Sequence, residues 1–231
     1  MEYSNTVEGT FIERKNRFIA SVRLNGKTLE VHVKNTGRCR ELLVPGARVI
    51  LAKGENPNRK TAYDLITVFK PELGWVNIDS QVPNALVQEW LKAEDQSRPD
   101  ELRNVRNIIP EYCFGASRMD FYLETKDRKI LMEVKGCTLE RNGIGYFPDA
   151  PTERGIRHLR ELTEAVRNGM DAYLAFVIAM PGVTEVLPNM QTHPQFGEAL
   201  DEAIKKGVRV LYLACSVTEN TICITDWRQN G

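Results

Sequence analysis

Over the first eighty residues, apolar and polar positions alternate in short runs. Phe11-Ile12, Arg17 to Leu24 and Lys27 to Val33 each carry the two-residue period of a half-buried strand, and Asn25-Gly26 between the last two is a two-residue hairpin signal. Val44-Pro45-Gly46-Ala47 reads as a turn into Val49 to Leu51, and a polar loop from Gly54 to Lys60 leads to Tyr63 to Phe69 and Trp75 to Ile78. Five or six short strands without a helix predict a small β-barrel or sandwich over residues 1–82. Five-stranded barrels of this size commonly bind oligonucleotides, although they also serve as plain structural modules.

Residues 83–109 read as a helical linker region. Leu86, Val87, Trp90 and Leu91 lie on one helical stripe with Asn84 as the expected cap, and Gln96 to Asp100 is a polar break. From residue 110 to 231 the order is strand, hairpin, loop, helix, strand, helix, strand, strand. Ile156, Leu159, Leu162 and Val166 form the buried stripe of a helix over Thr152 to Asn168. Pro194 to Lys206 supplies a second helix, and the apolar runs Tyr173 to Ala179 and Val208 to Cys215 read as buried strands. Thr221 to Thr225 is an edge-strand candidate. This second domain is therefore α/β with a mixed sheet.

Chemistry concentrates in the hairpin Arg118 to Lys135, RMDFYLETKDRKILMEVK. If Glu124 and Lys129 close it around Thr125 to Arg128, the register sets Asp120 opposite Glu133, with Cβ atoms about 5 Å apart. Two carboxylates that close repel unless a cation lies between them, and a hard divalent ion with oxygen ligands fits. Asp120 and Glu133 are the expected ligands, Lys135 the charged helper, the Val134 carbonyl a further ligand, and Glu111 a third acid if its segment folds back. Phosphodiester hydrolysis needs these parts: an activated water, neutralised phosphoryl oxygens and help for the leaving oxygen. Spacing alone favours a half-exposed hairpin of solvated charges. Against that stand the apolar run before Glu133, which makes the strand look internal, and the unusual loop after Lys135.

That loop runs into the Thr152 helix, whose first turns carry Arg154, Arg157, His158 and Arg160. Arginines at a helix N-terminus make a phosphate clamp; pairing with Glu153, Glu161 and Glu164 is the competing reading, and His158 fits a surface or boundary position. In the first domain Lys34 to Arg40 is the most binding-like loop, with Lys34, Asn35, Arg38 and Arg40 as nucleic-acid candidates. Phe18, Tyr63, Phe69 and Trp75 are aromatic platforms or, as the more ordinary alternative, core.

Composition adds bounds. Net charge is zero over 231 residues, with 13 Lys+Arg against 9 Asp+Glu up to residue 82 and 18 against 22 beyond. Five cysteines without a CxxC pair and three histidines argue for a reducing interior and against zinc. The longest apolar run has about half the length of a membrane span, and the acidic N-terminus lacks a signal core. A cytoplasmic protein without membrane contact is expected.

The stretches FIERKNRFIA, KNTGRCREL, RMDFYL, MEVKGCTL and YFPDAPTERGIRHLREL together resemble the sugar fermentation stimulation protein family over essentially the whole chain. The resemblance implies an N-terminal barrel of the oligonucleotide-binding (OB) type joined to a domain with a restriction-endonuclease-like core. In that core Asp120, Glu133 and Lys135 are the D…ExK site, with Mg2+ or Mn2+ as cofactor. It implies a DNA-binding protein linked to regulation of sugar metabolism; the sequence itself shows no helix-turn-helix and no strong basic arm, so little sequence specificity is expected. The alternative is a magnesium-dependent nuclease acting on DNA or RNA. A homodimer would suit duplex cleavage.

Overall fold

The computed structural model describes residues 1–35, 37–56, 58–93 and 98–230. Parts of three segments singled out above, Thr36, Pro57 and Gln96-Ser97, lie outside the described residues.

The first domain contains β1 (Thr6–Arg14), β2 (Ile19–Leu24), β3 (Lys27–Val33), β4 (Arg48–Lys53), β5 (Tyr63–Lys70) and β6 (Gly74–Asn77). Its sheet runs β3-β2-β1-β4-β5-β6 and closes on itself where β3 pairs in parallel with β5, His32 opposite Asp64 and Val33 opposite Leu65. Closure makes a five-stranded OB barrel with β6 added outside. The alternation in the sequence has a direct cause here: Phe11, Ala20, Val22, Val31, Val33, Val49, Leu51, Leu65 and Val68 point inward and are buried. Asn25 and Gly26 have φ of 49° and 77°, the left-handed pair that a two-residue hairpin requires.

α1 (Val82–Lys92) leaves the barrel and lays Val82, Leu86, Val87, Trp90 and Leu91 against one face of the second domain. Asn84 is not its cap: the cap position is three residues earlier, at Gln81, and Pro83 sits in the first turn. The Asn84 side chain is thereby freed for another use.

The second domain comprises β7 (Asn107–Phe114), β8 (Ser117–Glu124), β9 (Lys129–Cys137), β10 (Leu139–Arg141), β11 (Ile144–Phe147), α2 (Glu153–Arg167), β12 (Asp171–Ile178), β13 (Val186–Pro188), α3 (Pro194–Lys205), β14 (Arg209–Val217) and β15 (Ile222–Gln229). Its main sheet runs β15-β14-β12-β9-β8-β7, parallel at β9–β12–β14 and antiparallel elsewhere, so the sheet is mixed. α2 and α3 cover one face and α1 the other, which explains the near-continuous apolar runs of the central strands. The loop after β9 forms a small second sheet, β10-β11-β13, with β11 parallel to β13.

The two domains touch directly. The amide of Asn77 donates to the Ala179 carbonyl at 2.9 Å, the amide of Arg38 to Asp149 Oδ2 at 2.7 Å, and Lys70 pairs with Glu140 at 2.6 Å. Among the described residues no helix is long and apolar enough to cross a membrane.

Candidate metal centre

The hairpin has the register expected from its turn: Glu124 pairs with Lys129, Leu123 with Ile130, Tyr122 with Leu131 and Phe121 with Met132. Beyond that rung the backbone ladder stops. The Asp120 carboxylate takes over, accepting the Val134 amide on Oδ2 at 2.7 Å while Oδ1 accepts Nδ2 of Asn84 at 2.7 Å. Asp120 is thus clamped between β9 and the first turn of α1.

On β9 the next carboxylate is more deeply placed. Glu133 is 1% exposed. Its Oε1 accepts from Lys135 Nζ and meets His158 Nδ1 from α2, in two short contacts, while Oε2 is buried with no hydrogen-bond partner. Lys135 Nζ lies 3.4 Å from His158 Nδ1, and Arg154 Nε donates to His158 Nε2 at 3.2 Å. Thr152 caps α2, its hydroxyl accepting from the Gly155 amide at 3.0 Å, which aims this first turn at the carboxylates.

The two acids are pushed in opposite directions. Burial, and after it the charge of Glu133, raise the Asp120 carboxyl above its ordinary value, outweighing Lys135, the Val134 amide and Asn84. Burial would raise Glu133 too, but the His158 hydrogen bond and the charge of Lys135 outweigh it and hold Glu133 below the usual carboxylate range. Proximity alone would make two equivalent acids; their neighbours make them unequal.

These groups lie in a cleft of about 400 Å³ between the domains, with Asn35, Gly37 and Asn77 to Ser80 on the barrel side and Tyr146, Phe147 and Asp149 opposite. Arg14 shapes the barrel side. Its guanidinium donates to the carbonyls of Arg17, Asn35, Gly37 and Arg38, at 2.5 to 2.8 Å. Gly37 packs so closely that a Cβ there would stand 2.5 Å from Asp149 Oδ2.

The structure therefore gathers Asp120, Glu133, Lys135, His158 and Arg154, with the Val134 carbonyl between Glu133 and Lys135 on the same strand. Other expected members go elsewhere. Glu111 sits across from Asp120, between the pairs Pro110–Phe121 and Tyr112–Met119, but its φ of 55° turns the side chain into an exposed ion pair with Arg118 at 2.6 Å. That geometry removes it from the ligand set. His158 is a buried partner of Glu133, 2% exposed, and not a phosphate-facing surface group. Lys34 spends its charge on Asp64 and Asp79, at 3.5 and 3.4 Å. Asn35 ties its loop to the chain just past the end of β6, donating to the Ile78 carbonyl, and accepts from the Gly37 amide within the loop. Arg38, Arg40 and Arg157 are exposed, and Arg160 borders a separate groove between α2 and α3. Glu153, Glu161 and Glu164 meet His193, the Ala116 amide and Arg167 in the last turn of α2, and not Arg154, Arg157 or Arg160. Among the aromatic candidates Phe18 is half exposed, at 50%, against expectation.

Asn84 and Arg14 were not anticipated as site-building residues. Nothing in the spacing marks either. His158 does carry a signal, because positions 155, 158 and 162 fall on the buried edge of the α2 stripe.

Among the described residues no group of three or more His, Cys, Asp or Glu side chains is arranged to hold a metal ion. A cation here would therefore be held by two carboxylates and completed by backbone carbonyl, water or substrate oxygens. That is the usual manner of Mg2+, which keeps several waters and takes one or two carboxylates. The unpartnered Oε2 of Glu133 fits such an ion.

Fold and site together define a class, an OB barrel fused to an α/β domain with a paired-carboxylate centre facing it. The chain belongs to the sugar fermentation stimulation protein (SfsA) family: residues 81–221 match the Sugar fermentation stimulation protein RE domain, and residues 12–78 the SfsA N-terminal OB domain. A sugar fermentation stimulation protein homolog from Clostridium beijerinckii is 49% identical over 98% of both chains. One from Desulfitobacterium hafniense is 50% identical over 96% of this chain and 94% of its own. The solved structure of Pyrococcus furiosus SfsA in complex with Ca2+ is similar with a TM-score of 0.82 and 29% identity, covering 97% of this chain and 95% of that one.

Proposed function

We propose that the chain binds nucleic acid, foremost DNA, across the mouth of the cleft and holds Mg2+ or Mn2+ between Asp120 and Glu133 for phosphodiester hydrolysis. The observation that carries this reading is the unpartnered Oε2 of a buried Glu133 whose other oxygen is fully engaged. A buried charged oxygen without a partner is costly, and a divalent cation is the partner that two adjacent carboxylates call for. That a relative was solved in complex with Ca2+, another hard oxygen-seeking ion, supports the reading.

A bound cation would supply Lewis acidity and a water acidified for attack. The chain's own residues do the rest. Asp120 and Glu133 orient the ligand oxygens, and Lys135, anchored on Glu133 at the cleft wall, neutralises charge developing on a phosphoryl oxygen. Arg38 and Arg40 hold the phosphate backbone outside the cleft. The five cysteines are all free, as suits a cytoplasmic protein. A second reading, DNA binding without turnover in the service of sugar-metabolism genes, is favoured by one detail: both Asp120 oxygens already accept hydrogen bonds.

The test is a panel of double-stranded, single-stranded and branched DNA and RNA, with Mg2+ or Mn2+, comparing the wild type with Asp120→Ala. Metal-dependent cleavage that vanishes in the variant while binding survives is the expected result. Binding without cleavage on every substrate would favour the second reading, and no binding at low salt would sink both.

A further inference from the structure

His158 and Arg154 lie one helical turn apart on α2, directly behind Glu133. Arg154 can only donate, so the 3.2 Å contact from its Nε makes His158 Nε2 an acceptor. A neutral imidazole then carries its proton on Nδ1, the nitrogen that faces Glu133 Oε1. Lys135 donates to the same oxygen. Two donors saturate Oε1 and leave Oε2 as the oxygen available to a ligand, buried and without another partner. The imidazole is 2% exposed, and its polar neighbours are Glu133, Lys135 and Arg154.

We propose that His158 is a positioning residue for the cation: its Nδ1–H pins Oε1 of Glu133 and so presents Oε2 to the metal, and Arg154 fixes the tautomer that makes this possible. The inference rests on the metal reading above but is separable from it. It assigns Arg154 a role inside the protein in addition to any phosphate contact. Groups that orient a ligating carboxylate typically alter metal affinity when changed.

Asparagine and glutamine separate positioning from space filling. The Asn amide nitrogen falls where Nδ1 stands, whereas the Gln amide reaches the Nε2 position. The experiment is calorimetric titration of Mn2+ into the full-length wild type, His158→Asn, His158→Gln, His158→Ala and Arg154→Ala, with melting curves in EDTA. The Asn protein is expected to bind within about threefold of wild type, and the Gln and Ala proteins about ten- to hundredfold more weakly. Arg154→Ala should weaken Mn2+ binding in the wild-type background and do nothing further in His158→Asn, where no tautomer remains to be fixed. Equal affinities in the Asn and Gln proteins, whether both kept or both lost, overturn the proposal. Should the His158 variants not fold, the exposed Arg154→Ala decides alone, and unchanged affinity there overturns it. A wild type that takes up no Mn2+ fails the metal reading itself, whereas binding that is indifferent to the histidine fails only this inference.

Discussion

Asp64 in the barrel and Glu133 in the α/β domain are both buried carboxylates, and both are held below their ordinary value by cationic or hydrogen-bonding neighbours. They differ in saturation. Arg59 grips both Asp64 oxygens in a fork, His32 meets Oδ1 at 3.1 Å and Lys34 approaches at 3.5 Å. Asp64 and His32 are also the register partners at which the barrel closes. Glu133, by contrast, has one oxygen crowded by Lys135 and His158 and the other bare. A saturated buried acid is a seam of the fold; an unsaturated one beside a second acid is a place for a ligand.

The largest effect that would sharpen this contrast comes from Asp120→Ala. It should weaken Mn2+ binding at least about a hundredfold, since removing one of two ligating carboxylates leaves no substitute, with little change in the melting temperature of the metal-free protein, because relief of the buried Asp120 charge and its repulsion by Glu133 offsets the hydrogen bonds lost at the Val134 amide and Asn84. Calorimetry and melting curves in EDTA check both halves.

Asp64→Ala should do the reverse, leaving Mn2+ affinity intact and costing about 2 kcal/mol of stability, or roughly 5 °C in melting temperature for a chain of this size. The figure stays modest because Arg59, Lys34 and His32 are each about a third exposed and screened by water. Its pH dependence has a definite sign. Burial would raise the Asp64 carboxyl, but Arg59, His32 and Lys34 outweigh it and depress its value in the folded state. The stability it contributes is therefore complete above the unfolded value of about 3.9 and is lost as pH falls through the lower folded value. The gap between wild type and Asp64→Ala should be constant near neutrality and close in strong acid; a gap that widened below pH 4 would contradict the assignment.

The smallest expected effect lies at the rim. Arg38→Ala and Arg40→Ala should each weaken DNA binding severalfold, evenly across sequences, and reduce the slope of log affinity against log salt by about one. Lys34→Ala should not alter that slope, because its charge is spent on Asp64 and Asp79.

What was legible in the sequence follows the range of the interactions involved. The hairpin register is decided by a four-residue turn, so Asp120 and Glu133 could be set side by side from spacing alone. The stripes of α1 and α2 and the buried strands β12 and β14 were equally local matters of periodicity. Asn84 was misread because its partner, Asp120, is 36 residues away, and its local role as a cap looked sufficient. Glu111 failed for a backbone reason, a left-handed φ at one residue that a run of strand-forming neighbours does not reveal. The burial of His158 depends on α2 packing against β9, and the half-exposed Phe18 lies in the turn between β1 and β2. The short strands β10, β11 and β13 were missed because each is at most four residues long; β10 and β11 form a tight hairpin across Asn142-Gly143, and only the β11–β13 pairing joins distant segments.

The central claim is that Asp120 and Glu133 hold a divalent cation. The most direct measurement is the anomalous difference map of a crystal soaked in Mn2+. The account predicts a peak between the two carboxylates, about 2.1 Å from Glu133 Oε2. An empty site there, with the soaked ion bound elsewhere or nowhere, would contradict it.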